Sequence, residues 1–244
     1  MIPPLSALCD ANVLLGRDTR TGVETTPESI RDALAPWGTV CACVASLEAL
    51  LYDPVSGNAT ALALARRDPF FRAVAVLNPH HPSAGTLAAQ ARADGFAFVR
   101  IFPDTHNFAI DGPACAELLD ACDAAGLPIM FSLVAAGAAA TARALAGRRG
   151  RYLLGTIKYQ VQTEAFALSR RVPGVRLEAT MLNTPDGLVR YVAEFGADRL
   201  FFGSGYPDLI PGCTHRVLQE SGLEATDISR IASGSAFITT GGQA

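Results

Sequence analysis

The chain has 244 residues, half of them apolar, and a formal net charge of -3. That is enough apolar material for one sizeable core, and it leaves no basic footprint of the kind a phosphate backbone requires, so nucleic acid is not an expected partner. Met1-Ile2-Pro3-Pro4 lacks the cationic and apolar regions of a signal peptide, and the mature chain is expected to begin at Met1.

Eight short apolar runs recur along the chain, each followed by a polar connection and most by a stretch with helical spacing, the pattern of repeated βα units. The first predicted strand is Leu5 to Val13 and the second Thr39 to Ala45, followed by a helix over Ala59 to Arg67. Phe71 to Leu77 precedes a helix over Ala84 to Ala93, and Ala97 to Phe102 precedes one over Ala114 to Ala125. Pro128 to Val134, Tyr152 to Lys158 and Val175 to Thr180 are followed by helices at Ala138 to Arg148, Thr163 to Arg171 and Gly187 to Phe195. Arg199 to Ser204 is the eighth strand. Glycine after Ala125 and after Phe195 supplies the residue that a left-handed helix stop favours. The runs are apolar at successive positions, as strands buried on both faces are, and no Gly-rich nucleotide turn follows the first. The expected fold class is α/β, a single (β/α)8 TIM-type barrel over residues 1–244, with its pocket at the C-terminal strand ends.

Leu127 to Ala142 is too short for a membrane span and is interrupted by Pro128, Ser132 and Gly137, so no membrane partner is expected. Six cysteines without a CxxC pair read as reduced, buried thiols in a cytoplasmic protein, not as a disulfide frame or a zinc site. On a strand, Cys41 and Cys43 point to one face.

Cys9-Asp10-Ala11-Asn12-Val13-Leu14-Leu15-Gly16 resembles the opening Asp-x-His-x-His-x-Gly of the amidohydrolase-related metal-dependent hydrolases. Asp198 to Pro207 is similar to that family's Asp-Arg-x-x-x-Gly-Ser-Asp-Tyr-Pro, Val99 to Pro103 with Phe108 to Asp111 resembles its fourth strand and loop, and Ile228 to Phe237 its closing helix. The resemblance implies the barrel, a hydrolase or decarboxylase activity, and a metal held by two histidines of strand one, histidines of strands five and six and an aspartate of strand eight. The chain departs from that set: Asn12 and Leu14 stand for the histidines, Gly205 for the aspartate, and strands five and six carry no histidine. No metal and no other cofactor is therefore expected, since a catalytic zinc needs about three protein ligands.

The remaining polar residues of the strand ends carry the functional expectation. Arg100 is the anchor for a substrate carboxylate, or half of a buried pair with Glu178 or Asp10; Asn12, Lys158 and Glu178 complete the substrate-binding set. Asp10, His106 and Asp208 are the candidates for moving protons, with Asp104 placed to orient His106. His80, His81, His106 and His215 all fall in predicted loops. Ser132 and Ser204 lack the Gly-x-Ser-x-Gly elbow of a serine hydrolase. Three readings follow: a metal-independent hydrolase or decarboxylase-like enzyme for a small carboxylated substrate, a noncatalytic ligand-binding descendant (a pseudoenzyme), and a Schiff-base lyase using Lys158, the chain's sole lysine. A homo-oligomer is the default assembly.

Overall fold

A computed structural model describes residue 5, residues 7–184 and residues 186–234. All eight expected strands are present, as β1 (Leu8–Arg17), β3 (Thr39–Ser46), β4 (Phe71–Val76), β5 (Phe98–Arg100), β6 (Ile129–Ser132), β7 (Tyr152–Gly155), β8 (Val175–Glu178) and β9 (Leu200–Phe201). A further short strand, β2 (Glu24–Thr25), pairs antiparallel with the end of β1, through Gly16 to Thr25 and Arg17 to Glu24. Sequence reading stops β1 at Val13; the strand runs on because this hairpin gives its last residues a partner. Two residues are too few for alternation to reveal β2.

The strands form one sheet in the order β2-β1-β3-β4-β5-β6-β7-β8-β9, parallel throughout except for β2. The sheet curls so that β1 meets the segment continuing β9. Ala11 N–H donates to the Phe202 carbonyl at 3.0 Å, Gly205 N–H to Asn12 at 3.0 Å and Leu14 N–H to Tyr206 at 2.9 Å. Val13 and Tyr206 form a parallel bridge at the same place.

The helices are α1 (Pro27–Leu34), α2 (Leu47–Leu51), α3 (Pro54–Arg67), α4 (Ala84–Asp94), α5 (Pro103–His106), α6 (Pro113–Ala124), α7 (Ala138–Leu145), α8 (Gln162–Arg171), α9 (Gly187–Phe195), α10 (Pro211–Gln219) and α11 (Ala225–Ser233). Alternate strand residues divide between the two faces of the sheet. Val99, Ile129, Phe131, Tyr152, Leu154, Leu177 and Phe202 pack with helix residues such as Leu118, Leu119, Phe166 and Tyr191. Their neighbours Cys43, Val74, Val76, Phe98, Met130, Leu153 and Phe201 form a second cluster on the other, self-enclosing face. Each buried Phe or Leu contributes about 1.5–3 kcal/mol by leaving water. Helix α11 lies beneath the last strand, where its Ile231 carbonyl accepts the Phe202 N–H at 3.3 Å. The last residues of the expected closing helix, 235–237, lie outside the described residues. Among the described residues, no helix is long and apolar enough to cross a membrane.

Helix α3 starts five residues earlier than its Ala-rich run suggests, because Asp53 caps it by accepting the Val55 and Ser56 N–H groups. Gly57 and Asn58 obscured that start, and both are there for packing. A Cβ at Gly57 would run into the main chain of Ala49. Buried Asn58 replaces a neighbouring strand where β3 has turned into α2: its Nδ2 donates to the Val76 carbonyl at 2.9 Å and its Oδ1 accepts the Val76 N–H at 2.8 Å. Asn58→Leu strands both main-chain groups, and denaturant unfolding should show a loss of about 2–4 kcal/mol. A loss below about 0.5 kcal/mol would mean that the clamp is not structural.

Candidate functional site

The register of β1 against β3 shifts between Asp10 and Val13. Asp10 and Asn12, two residues apart on one strand, share a face and both reach polar partners at the meeting of β1 with the continuation of β9. Asp10 Oδ1 accepts the Asn12 N–H at 3.0 Å and the Ser204 N–H at 2.9 Å. Its Oδ2 is buried, with no partner of hydrogen-bonding geometry among the described residues. Burial pushes the Asp10 carboxyl up to about 7, against the Ser204 and Asn12 hydrogen bonds that favour ionisation, and Glu178 adds a further upward push.

Glu178 ends β8 and is fully buried. Its Oε1 accepts the Thr180 N–H at 2.7 Å and the Thr180 hydroxyl, and its Oε2 accepts Asn12 Nδ2 at 3.2 Å. Burial raises its pKa despite these donors. The carboxylate lies flat between two glycines: a Cβ at Gly203 would collide with it, and one at Gly155 would stand 3.2 Å from Oε2. Thr180, Gly155 and Gly203 were not singled out from sequence. The threonine two residues after a strand-end glutamate was the available signal.

Arg100 ends β5 on the same face, buried, with its guanidinium 4.6 Å from the centroid of the Phe102 ring. Burial lowers its pKa to about 10, while the charges of Glu178, Asp208 and Asp10 oppose that drop. It is still a cation at neutral pH. The buried pair expected with Glu178 or Asp10 is not formed: among the described residues no carboxylate oxygen is within 4 Å of the guanidinium. Both carboxylates direct oxygens at N–H and O–H donors of the strand ends instead, and the arginine is left with an aromatic platform.

The other expected residues sit further out. His106 closes α5, but Asp104 is exposed and does not orient it; His106 Nε2 is 2.8 Å from the Leu50 carbonyl. Because a carbonyl only accepts, that nitrogen carries the proton, and Nδ1 remains buried without a partner among the described residues. The ring is 6.2 Å from that of Phe102, one side chain behind Arg100. Lys158 does not end a strand on the pocket face. β7 stops at Gly155, Thr156 turns the chain at φ 57°, and Lys158 is exposed ahead of a 3-10 turn. Asp208 is also exposed, yet near enough for Arg100 and Arg20 to feel its charge. His215 is not in a loop. It is buried in α10, accepts the Leu5 N–H at 3.2 Å and packs on Trp37, and burial lowers its pKa. The Ser132 hydroxyl is 3.2 Å from that of Thr156. A cavity of about 240 Å³ lies by β6 and the segments after β5 and β6, lined among others by Asp104, Phe108, Phe131, Ser132 and Thr141, and not by Asp10, Arg100 or Glu178.

No protein-family model matches the chain, and no curated protein matches it in sequence. Solved structures do match over nearly the whole chain. The 5-carboxyvanillate decarboxylase of Sphingomonas paucimobilis superposes with a TM-score of 0.74 at 12% identity, covering 96% of this chain and 100% of that one. The chain shares the fold of that decarboxylase. A Polaromonas dihydroxybenzoic acid decarboxylase holding manganese and 2-nitroresorcinol gives a TM-score of 0.72 at 12% identity, with 95% of both chains covered. A Pseudomonas putida protein assigned as a 2-pyrone-4,6-dicarboxylic acid hydrolase gives 0.73 at 16% identity, covering 95% of this chain and 96% of that one.

Manganese of the kind held by the Polaromonas protein calls for several oxygen ligands in a roughly octahedral set. The residues here do not fit it. Leu14 and Gly205, at positions where the sequence resemblance would put ligands, offer no donor atom, and Asp10 and Glu178 share their surroundings with the Arg100 cation, which repels a divalent ion. Among the described residues, three metal-capable side chains converge only at Cys9, Cys41 and Cys43, near the opposite ends of the strands.

Two outcomes test this geometry. Gly203→Ala forces the Glu178 carboxylate off its donors and should cost about 1–3 kcal/mol in denaturant unfolding; an unchanged midpoint would mean that the fit is not tight. The native Asp10 binds its proton more tightly than the unfolded one, so its contribution is greatest at low pH and declines from about pH 4 to 7. The stability of wild type relative to Asp10→Asn should therefore fall across that window, by an upper bound of about 4 kcal/mol, and stay level above it. A difference that is flat with pH would show that Asp10 is ionised at its ordinary value.

Proposed function

We propose that the curled sheet closes into a single (β/α)8 barrel domain and that its C-terminal strand ends bind a small carboxylated, aromatic or pyrone-like ligand. The carrying observation is Arg100, a buried cation over the Phe102 ring with no carboxylate oxygen within 4 Å among the described residues. A guanidinium so placed is satisfied by an incoming carboxylate, which it can bind with two parallel hydrogen bonds. The ligands of the structural neighbours, carboxyvanillate, dihydroxybenzoate and pyrone dicarboxylate by name, belong to that chemical class.

The chemistry this arrangement supports best is hydrolysis without a metal in the pocket. An arginine that clamps a carboxylate lowers its energy and so slows loss of carbon dioxide from that same group, which directs reaction to a bond elsewhere in the ligand. Asp10, with a pKa of about 7, exchanges a proton near neutral pH, as a general base toward water must. Glu178 and Asn12 fix the floor beside it, and His106 Nδ1 is a second acceptor behind Phe102. Decarboxylation is the second reading, favoured by the neighbours, and requires that Arg100 hold a carboxylate other than the one lost. Lys158, exposed and solvated, lacks the apolar surroundings that activate a Schiff-base lysine.

Calorimetry with hydroxybenzoates, vanillate derivatives and pyrone carboxylates tests the clamp. Arg100→Met should weaken binding by about 10- to 100-fold, the size of a lost charged hydrogen bond of 1.5–3 kcal/mol. Equal affinity in the variant would dismiss Arg100 as the anchor. Product analysis on the tightest ligands, with and without a chelator, then tests turnover: hydrolysis that survives chelation is expected, chelator-sensitive turnover would overturn the metal-free site, and tight binding with no product would make the chain a noncatalytic binder.

A further inference from the structure

Cys9 is the second residue of β1, and Cys41 and Cys43 lie two apart on β3. The parallel register sets Cys9 opposite Cys41. All three side chains therefore enter the same face of the sheet, among the residues that pack with Val74 and Phe98. Their sulfurs all lie within 4.8 Å of one another, and none of the three is in a disulfide. Cys9 and Cys43 are buried, whereas Cys41 is partly open. Hydrogen bonds from Cys43 and then Cys9 hold the Cys41 thiol well below its ordinary range, and the Arg72 cation on β4, opposite Cys43 in register, acts in the same direction. Packing alone does not call for three thiols at one point, since alanine or valine would fill it without a polar group.

Metal–sulfur bonds of about 2.3 Å set sulfurs roughly 3.8–4.0 Å apart, so the cluster needs to contract by less than about 1 Å to hold an ion. Thiolates select soft ions and discriminate against magnesium, calcium and manganese. No fourth histidine, cysteine or carboxylate joins the group among the described residues. A structural zinc site calls for four ligands, whereas monovalent copper is satisfied by three thiolates.

We propose that Cys9, Cys41 and Cys43 form a three-thiolate site for copper(I), near the N-terminal ends of the strands and separate from the Arg100 pocket. Binding is a ligand exchange without redox change: copper(I) leaves its carrier ligands, Cys9, Cys41 and Cys43 release their thiol protons to solvent, and three Cu–S bonds form. Arg72 offsets part of the resulting negative charge.

The test is titration of untagged, reduced chain with copper(I) under anaerobic conditions against bicinchoninate as competing chelator, with zinc(II) in parallel. One copper per chain, a sulfur-to-copper charge-transfer band and three sulfur neighbours by X-ray absorption are expected. Cys41→Ser, at a partly open position that tolerates the change, should weaken binding by more than the roughly 10- to 100-fold typical of an outer-shell loss. Cys213→Ser, exposed on α10, should leave it unchanged. Failure of the native chain to compete for copper(I), uptake that persists in Cys41→Ser, or tighter retention of zinc(II) would each overturn the assignment. Benzoate binding at Arg100 should be indifferent to all of these variants.

Discussion

One carboxylate joins the beginning of this chain to its end. Asp10 accepts main-chain N–H groups from its own strand and from Ser204, 194 residues later, at the place where the curled sheet meets itself. A hydrogen bond contributes about 0.5–1.5 kcal/mol net, and here it also joins the two strands on which the rest of the site is built. Asn12 follows from it, then Glu178 through the Asn12 amide, and the Gly203 main chain through the Thr180 hydroxyl. The same burial that makes this link specific raises the proton affinity of both carboxyl groups.

The fold was legible because the signals that carried it are local. Runs such as Thr39 to Ala45 and Phe71 to Leu77 are largely apolar at successive positions, and helices such as Gly187–Phe195 keep their period and are followed by glycine. What escaped was set by tertiary packing. β2 is two residues long, α3 hides its start behind a glycine and an asparagine needed elsewhere, and His215 reads as a loop residue until α10 buries it against Trp37.

The site was legible in part for the same reason. Asp10, Asn12, Arg100 and Glu178 stand out because ionisable and amide groups in apolar strands must find partners. Which partners they find is a long-range fact. Arg100 was expected against Glu178 or Asp10, yet those two carboxylates take donors from strand ends that no local pattern connects to them. The convergence of Cys9 with Cys41 and Cys43 is of the same kind, since 30 or so residues of intervening chain give no hint that two neighbouring strands place their sulfurs together.

The arginine-rich composition has a practical consequence at Lys158. Of 20 basic residues it is the only lysine, and it is exposed just beyond the C-terminal end of β7, on the side of the sheet where Arg100 ends its own strand. Apart from the α-amino group, an amine-directed dye has one target on the whole chain. A fluorophore there would sit at a defined place near the C-terminal strand ends and leave every arginine, including the buried one, unmodified.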